Sequence, residues 1–267
     1  MTNSLQASEL PVVILCGGQG TRLREETEHR PKPMVEIGGR PILWHIMKVY
    51  GAHGVRRFIL CLGYKGWEIK QHFLRVNERR RDFTITLDGS REIEFHNHIA
   101  DENWRVTLAE TGDETATGGR LRLVKDYVDT QTFFMTYGDA VGNVDIVELL
   151  RFHREHGRIA TVTGVRPTSR YGEIFADGSR VTQFQEKERS GEDLVSGGFF
   201  VLEREFFDYL DEDPLLFFEQ NPLQQLTRED QLHVYVHEGA WYSMDTYRDY
   251  LQLNAIWNRG DAPWKVW

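Results

Sequence analysis

VVILCGGQGTRLREETEHRPKP, Val12 to Pro33, is the stretch that decides how this chain must fold. A short β-branched run, Val12 to Cys16, ends in glycines, which reads as a buried strand entering a loop. Gly17, Gly18 and Gly20 carry no Cβ, so their backbone N–H groups can come close to a bound anion such as a phosphate. Arg22 adds a planar fork suited to phosphate oxygens. Lys32 follows between Pro31 and Pro33, and two prolines leave its backbone few conformers to lose, so its charge can be aimed. Glycines after a strand are, alone, more often a tight turn than a site. With Thr21, Arg22, Leu23 and Lys32 beside them the balance moves to a phosphate loop. It is neither of the common ones: no Gly-Lys-Ser/Thr ending is present, and Leu23 stands where a dinucleotide fingerprint needs its third glycine.

Outward from this stretch, helical spacing of Ile42, Ile46, Val49 and Tyr50 predicts a helix opened by Pro41. A second strand spans Phe58 to Leu62, and an amphipathic helix Trp67 to Val76. Phe83 to Leu108 alternates like strands and hairpins, and Phe133 to Tyr137 is a third strong strand. Asp145 and Gly157 predict the two ends of a helix over Ile146 to His156. Strands recur at 159–165, 181–185, 198–202 and 232–236, and Thr246 to Asn258 makes a last helix. Strands alternating with helices over the first half predict an α/β fold with a doubly wound, mostly parallel sheet. Clustered strands in the second half predict added β-structure around a pocket. Without a repeat or a linker, residues 11–267 are expected to form one unit behind a short N-terminal extension, 1–10.

With 40% hydrophobic residues in 267 the chain can build a sizeable core. A formal charge of −9 argues against nucleic-acid binding, which needs clustered Lys and Arg. Arg79, Arg80 and Arg81 are expected to be a solvated helix end. Cys16 and Cys61 are too few for a disulfide scaffold or a zinc site. The first ten residues lack a signal-peptide pattern, and no apolar stretch approaches the ~20 residues that span a bilayer. A cytoplasmic protein that binds no membrane is expected.

Two carboxylates lie where chemistry is expected. Asp139 follows a strand at its C-terminal end, where open α/β sheets place ligands; a strand-end turn is the plainer reading. Asp245 precedes the last helix, where capping and a binding role are equally good readings. By residue type alone, Thr117–Arg120 form a glycine turn, and Glu186–Lys187 a solvated pair on an edge strand.

LCGGQGTRL followed by RPKPMVEIGGRPILWHIM resembles the signature of the sugar-1-phosphate nucleotidyltransferases. The resemblance runs from about Val12 to Trp267 and includes HGVRRFILCLGYKG, LAETGDETATGGRL, FMTYGDAV, GGFFVL, MDTYRD and APWKVW. TGDETATGGRL and PWKVW resemble the family's cytidylyl branch in particular. The resemblance implies a Rossmann-like nucleotide-diphospho-sugar transferase fold and transfer of a cytidylyl group from CTP to α-D-glucose 1-phosphate, with dTTP or UTP, or another sugar phosphate, as alternatives. It implies Mg²⁺ on Asp139 and Asp245, and catalysis by Arg22, Lys32, Asp139 and Lys187. Nucleotide contacts are implied at Leu15, Gly17, Gly18, Gly20, Thr21, Arg22 and Lys32, and at Thr117, Gly118 and Arg120, whose backbone would read the pyrimidine. Sugar contacts are implied at Tyr171, Gly172, Glu186, Lys187, Ser196 and Gly197. A homo-oligomer, a hexamer in the best-known case, is also implied; Trp257, Trp264 and Trp267 would be an interface or a cover over the core. Three departures stand out: Ser196 where the family commonly has Asn, Glu188 where Pro follows Glu-Lys, and Ala140 where Gly follows the aspartate. They touch sugar choice, since losing one hydrogen bond to a hydroxyl alters which substrate is accepted. A glycosyltransferase and a silent nucleotide-sensing subunit are the competing functions; neither explains the full set of charged residues.

Overall fold

A computed structural model describes residues 6–96, 102–166, 173–177, 180–185 and 194–267. Its centre is a seven-stranded sheet. In chain order the strands are β1 (Pro11–Leu15), β2 (Arg57–Leu62), β3 (Arg105–Glu110), β4 (Thr132–Tyr137), β5 (Ala160–Val165), β6 (Val195–Glu203) and β7 (Leu232–His237). In space they run β7-β5-β6-β4-β1-β2-β3. Only β6 is antiparallel to its neighbours in this sheet. The sheet is thus mostly parallel and mixed, as the alternation of strands and helices predicted.

The chain enters at β1, builds β2 and β3 to one side, then crosses to place β4 on the other side of β1. That reversal opens a crevice beyond the C-terminal ends of β1 and β4, the position where such sheets bind ligands. Leu15 and Tyr137 are register partners at its mouth.

Strand β1 is buried along its whole length and feeds two cores by alternation. Val12 and Ile14 face a cluster with Ile42, Ile46, Tyr50, Leu149 and Trp264. Val13 and Leu15 face another with Leu121, Phe133, Phe206 and Phe218. Helices α1 (Ile42–Ala52), α4 (Ile146–His156) and α6 (Tyr247–Asn258) cover the first face, and α3 (Thr117–Leu123) lies on the second; α2 (Gly66–Leu74) follows β2, and α5 (Asn221–Arg228) precedes β7. The caps of α4 follow the sequence signals: the Asp145 carboxylate accepts from the N–H of Val147 and Glu148, and Gly157 closes the helix at φ 63°.

Three local readings change. The helix from Trp67 stops at Leu74, because Arg75 leaves helical geometry, and a separate turn of helix covers Val76–Arg80. Among the described residues of 83–108 only β3 joins the sheet; Phe83–Ile85 and Ile93–Phe95 form a separate hairpin. The glycine turn expected at 117–120 is the start of α3, where Gly118 and Gly119 let Leu216 and Pro214 pack against the helix backbone. Trp264 is fully buried beside Trp257 and His45, with Trp267 packed over them, so the tryptophans cover the core.

Candidate active site

A cleft of about 500 Å³ opens at the β1–β4 crevice. Leu15, Gly17, Gly18, Gly20, Thr21, Arg22, Lys32, Thr117, Arg120 and Asp139 line it. Its size lies in the range of small-ligand sites.

The loop after β1 is anchored from outside. The Arg120 guanidinium donates to the carbonyls of Gly17, Leu62, Gly112 and Asp113 and to Thr111 Oγ1, at 2.7–3.1 Å. Gly17 is required here, since a Cβ would lie 2.1 Å from that guanidinium. At the other end Gly20 sits at φ 63°, its carbonyl accepting from Thr27 Oγ1 at 3.0 Å. Thr27 is held in turn by the Lys65 ammonium, which donates to its carbonyl at 3.3 Å. Both anchors take carbonyl oxygens.

Lys32 lies in a single turn, Lys32–Met34, entered through Pro31. Its ammonium donates to Asp139 Oδ2 at 2.7 Å and to Asp245 Oδ1 at 2.9 Å. The two carboxylates come together through a short antiparallel ladder, Ala140–Gly142 with Trp241–Ser243, reinforced by Met244 N–H on the Asp139 carbonyl at 2.9 Å. Asp245 does not cap the last helix. Thr246 does, in a capping box with Asp249, which leaves the Asp245 carboxylate to meet Lys32. Burial works against the Lys32 charge, but attraction and hydrogen bonds from Asp139 and Asp245 outweigh it and hold the ammonium pKa above the ordinary lysine value. Burial likewise disfavours charge on Asp245, and Lys32 and Arg22 reverse that, leaving its pKa lowered. Arg22 is largely exposed, its guanidinium 3.6 Å from Asp245.

At the expected nucleobase contacts, the N–H groups of Gly118 and Gly119 donate to the Leu216 carbonyl and that of Arg120 to the Ala116 carbonyl, so these three donors are engaged within the protein. Arg120 is 4% exposed, and its side chain organises the loops. The cleft wall on that side is Asp113–Thr117. Hydrogen-bonded beside it is a segment that the sequence reading passed over and that also lines the cleft, with Leu215 and Phe217 exposed at the mouth. Glu219 ties this segment to β4 and α3: Tyr137 Oη donates to it at 2.6 Å and Thr117 Oγ1 to its other oxygen. The signal was present in PLLFFEQ, an apolar run too polar at its ends for a strand.

Ser196 and Gly197 follow Val195 in the first residues of β6, at the same edge of the sheet, since Phe199 pairs with Thr136 on β4. They do not line the cleft; Gly197 accepts from Trp241 Nε1 at 2.8 Å. Tyr171, Gly172, Glu186 and Lys187 lie outside the described residues. Cys16 and Cys61 are free and buried. Among the described residues no helix is long and apolar enough to cross a membrane.

Known proteins resemble this arrangement throughout. The profile of the family described as nucleotidyl transferase matches residues 11–259. Glucose-1-phosphate cytidylyltransferase of Salmonella typhi is 45% identical over 259 residues, 97% of this chain and 100% of that protein. A probable glucose-1-phosphate cytidylyltransferase of Bacillus subtilis (strain 168) is 44% identical over the same shares. Among solved structures, HddC from Yersinia pseudotuberculosis complexed with GMP-PN superposes with TM-score 0.68 at 23% identity, covering 93% of this chain and 99% of that one. That likeness concerns the fold.

Proposed function

The chain belongs to the nucleotidyl transferase family, and from that premise we propose that it joins CTP and α-D-glucose 1-phosphate into CDP-glucose and pyrophosphate. The observation that carries the reading is the meeting of Lys32, Asp139 and Asp245 beneath a glycine loop at the sheet's switch point. The close relatives named for this reaction supply its nucleotide and its sugar.

The sugar phosphate is already an anion, so no general base is needed to make the nucleophile. One of its oxygens bonds to the α-phosphorus of CTP while the bond from that phosphorus to the β-phosphate bridging oxygen breaks, and pyrophosphate departs with the electron pair. Repulsion between two polyanions is the obstacle, and positioning with charge neutralisation lowers it. The loop N–H groups and Arg22 hold the leaving phosphates. Lys32 neutralises charge building at the α-phosphate, and Lys187 meets the sugar phosphate. Arg120 fixes the loop so that these donors need not reorganise.

Asp139 and Asp245 suit Mg²⁺. They are hard oxygen donors already converging on one cation, the Lys32 ammonium, and no third acidic, His or Cys ligand joins them among the described residues. Two carboxylates leave positions for phosphate oxygens and waters, as Mg²⁺ prefers. When bound there it would screen the triphosphate charge.

The catalytic unit is taken as residues 11–267. Its two free thiols support a cytoplasmic setting. Self-association is part of the reading: the hairpin face of Phe83, Ile85, Ile93 and Phe95 is exposed, and a lone hairpin is marginal in water. Light scattering that returned the mass of one chain would remove that element.

The test is pyrophosphate release from a panel of CTP, UTP and dTTP against several sugar 1-phosphates. Release fastest with CTP and glucose 1-phosphate, in step with CDP-glucose, supports the reading. A faster partner would reassign base or sugar, and no release from any pair would overturn it.

A further inference from the structure

The Lys32 ammonium occupies the place between Asp139 and Asp245 where a divalent cation would be held. It touches one oxygen of each carboxylate at 2.7 and 2.9 Å, its side chain is only 11% exposed, and its backbone is fixed next to Pro31 and Pro33. The carboxylates are held in turn by the short ladder and by Met244 N–H on Asp139. Neither side can withdraw by moving backbone. Mg²⁺ binds oxygens at about 2.0–2.1 Å, so an ammonium on the same two oxygens would lie within contact distance of the metal, two cations without an anion between them.

We propose that Lys32 is the resident counter-cation of this aspartate pair, and that a divalent cation and the Lys32 ammonium exclude each other there. Lys32 leaves the pair by side-chain rotation as metal enters, and its charge is then delivered to the open cleft. The exchange gives the site an order. Before metal and nucleotide arrive, Lys32 neutralises the aspartates and is withheld from anions. Afterwards it is free for phosphate. This inference rests on the metal assignment proposed above and adds the residue that guards the site.

Two readouts without turnover test it, both on the full chain at pH 7.5 with Mn²⁺ as the probe. In the unaltered protein, amine acetylation at Lys32, read by mass spectrometry, should rise at least about fivefold when Mn²⁺ is added without nucleotide. Mn²⁺ binding, read by electron paramagnetic resonance, should tighten at least about tenfold in Lys32→Gln. The exposed Arg22→Gln, which removes a charge near Asp245 without vacating the pair, should change it less than about threefold. Lys32→Met replaces Lys32→Gln if the latter does not fold, with the same expectation. Unchanged labelling with measurable Mn²⁺ binding, or equal affinity in the Lys32 variant, overturns the exchange and leaves the proposed reaction standing. Absence of Mn²⁺ binding even with CTP overturns the exchange together with the metal assignment, while pyrophosphate release separately decides the reaction.

Discussion

Two cations flank the glycine loop after β1, and they spend their charge differently. Arg120, under the start of the loop, gives its side-chain N–H groups to four backbone carbonyls and a hydroxyl. None of these partners is an ion. Lys32, beyond the loop's far end, faces two carboxylates across sequence distances of 107 and 213 residues. Carbonyl partners make a cation into a structural peg, whereas carboxylate partners keep it poised for another anion. The same contrast fixes the loop at both ends, the Gly17 carbonyl turned toward Arg120 and the Gly20 carbonyl toward Thr27.

Lys32→Ala should sharpen the contrast most. Removing one electrostatic donor typically lowers turnover by about 10²–10³, and circular dichroism should show the fold retained. Arg120→Met should do the reverse, costing about 3 kcal/mol in denaturant unfolding, because buried carbonyls lose their donor. If Lys32→Ala unfolded the protein and Arg120→Met merely slowed it, the division into peg and poised charge would be inverted.

A smaller effect separates the site from the tryptophan-lined core by pH. The raised pKa of Lys32 gives stability that is complete below 10.5 and is lost as pH climbs through the higher folded value. The lowered pKa of Asp245 gives stability that is present above 3.8 and is lost as pH falls through the lower folded value. Neither group acts between pH 6.5 and about 4. His45 does: burial first, opposed only in part by its bonds to backbone, lowers its pKa from 6.5 to about 4. Its Nε2 donates to the Ile37 carbonyl and its Nδ1 accepts from Trp264 Nε1, so a second proton has no place. Unfolded chains take up that proton below pH 6.5, and thermal midpoints should fall from there to about pH 4, less steeply in His45→Gln. An unchanged slope would remove His45 as the cause. The smallest effect belongs to Tyr137→Phe, which deletes the donor to Glu219. A loss of about 1 kcal/mol, read as a severalfold rise in KM for the nucleotide at constant kcat, would mark the Glu219 tie as a wall brace. A drop in kcat alone would place it in the chemistry.

The sequence made the local features legible. A β-branched run ending in glycines, an aspartate after a strand, and Asp145 with Gly157 around an amphipathic helix each depend on neighbours within a few residues. What stayed hidden depends on distant partners. Arg120 meets Gly17 across 103 residues, and Thr117 meets Glu219 across 102. No spacing rule discloses that a guanidinium will fill the space below one glycine, or that two further glycines exist to admit Leu216 and Pro214. Asp245 was ambiguous for a related reason: Thr246 beside it caps equally well, and only the fold shows which residue took that task.

Leu215 and Phe217, at the cleft mouth, come from the segment between β6 and α5, whereas the glycine loop and Asp139 follow the sheet's central strands. Floor and rim of the cleft are therefore carried by separate stretches of chain. Exchange of the exposed Leu215 and Phe217 should reshape the mouth alone, whereas Leu216 and Phe218 between them belong to the core and to the seat of α3 and must stay.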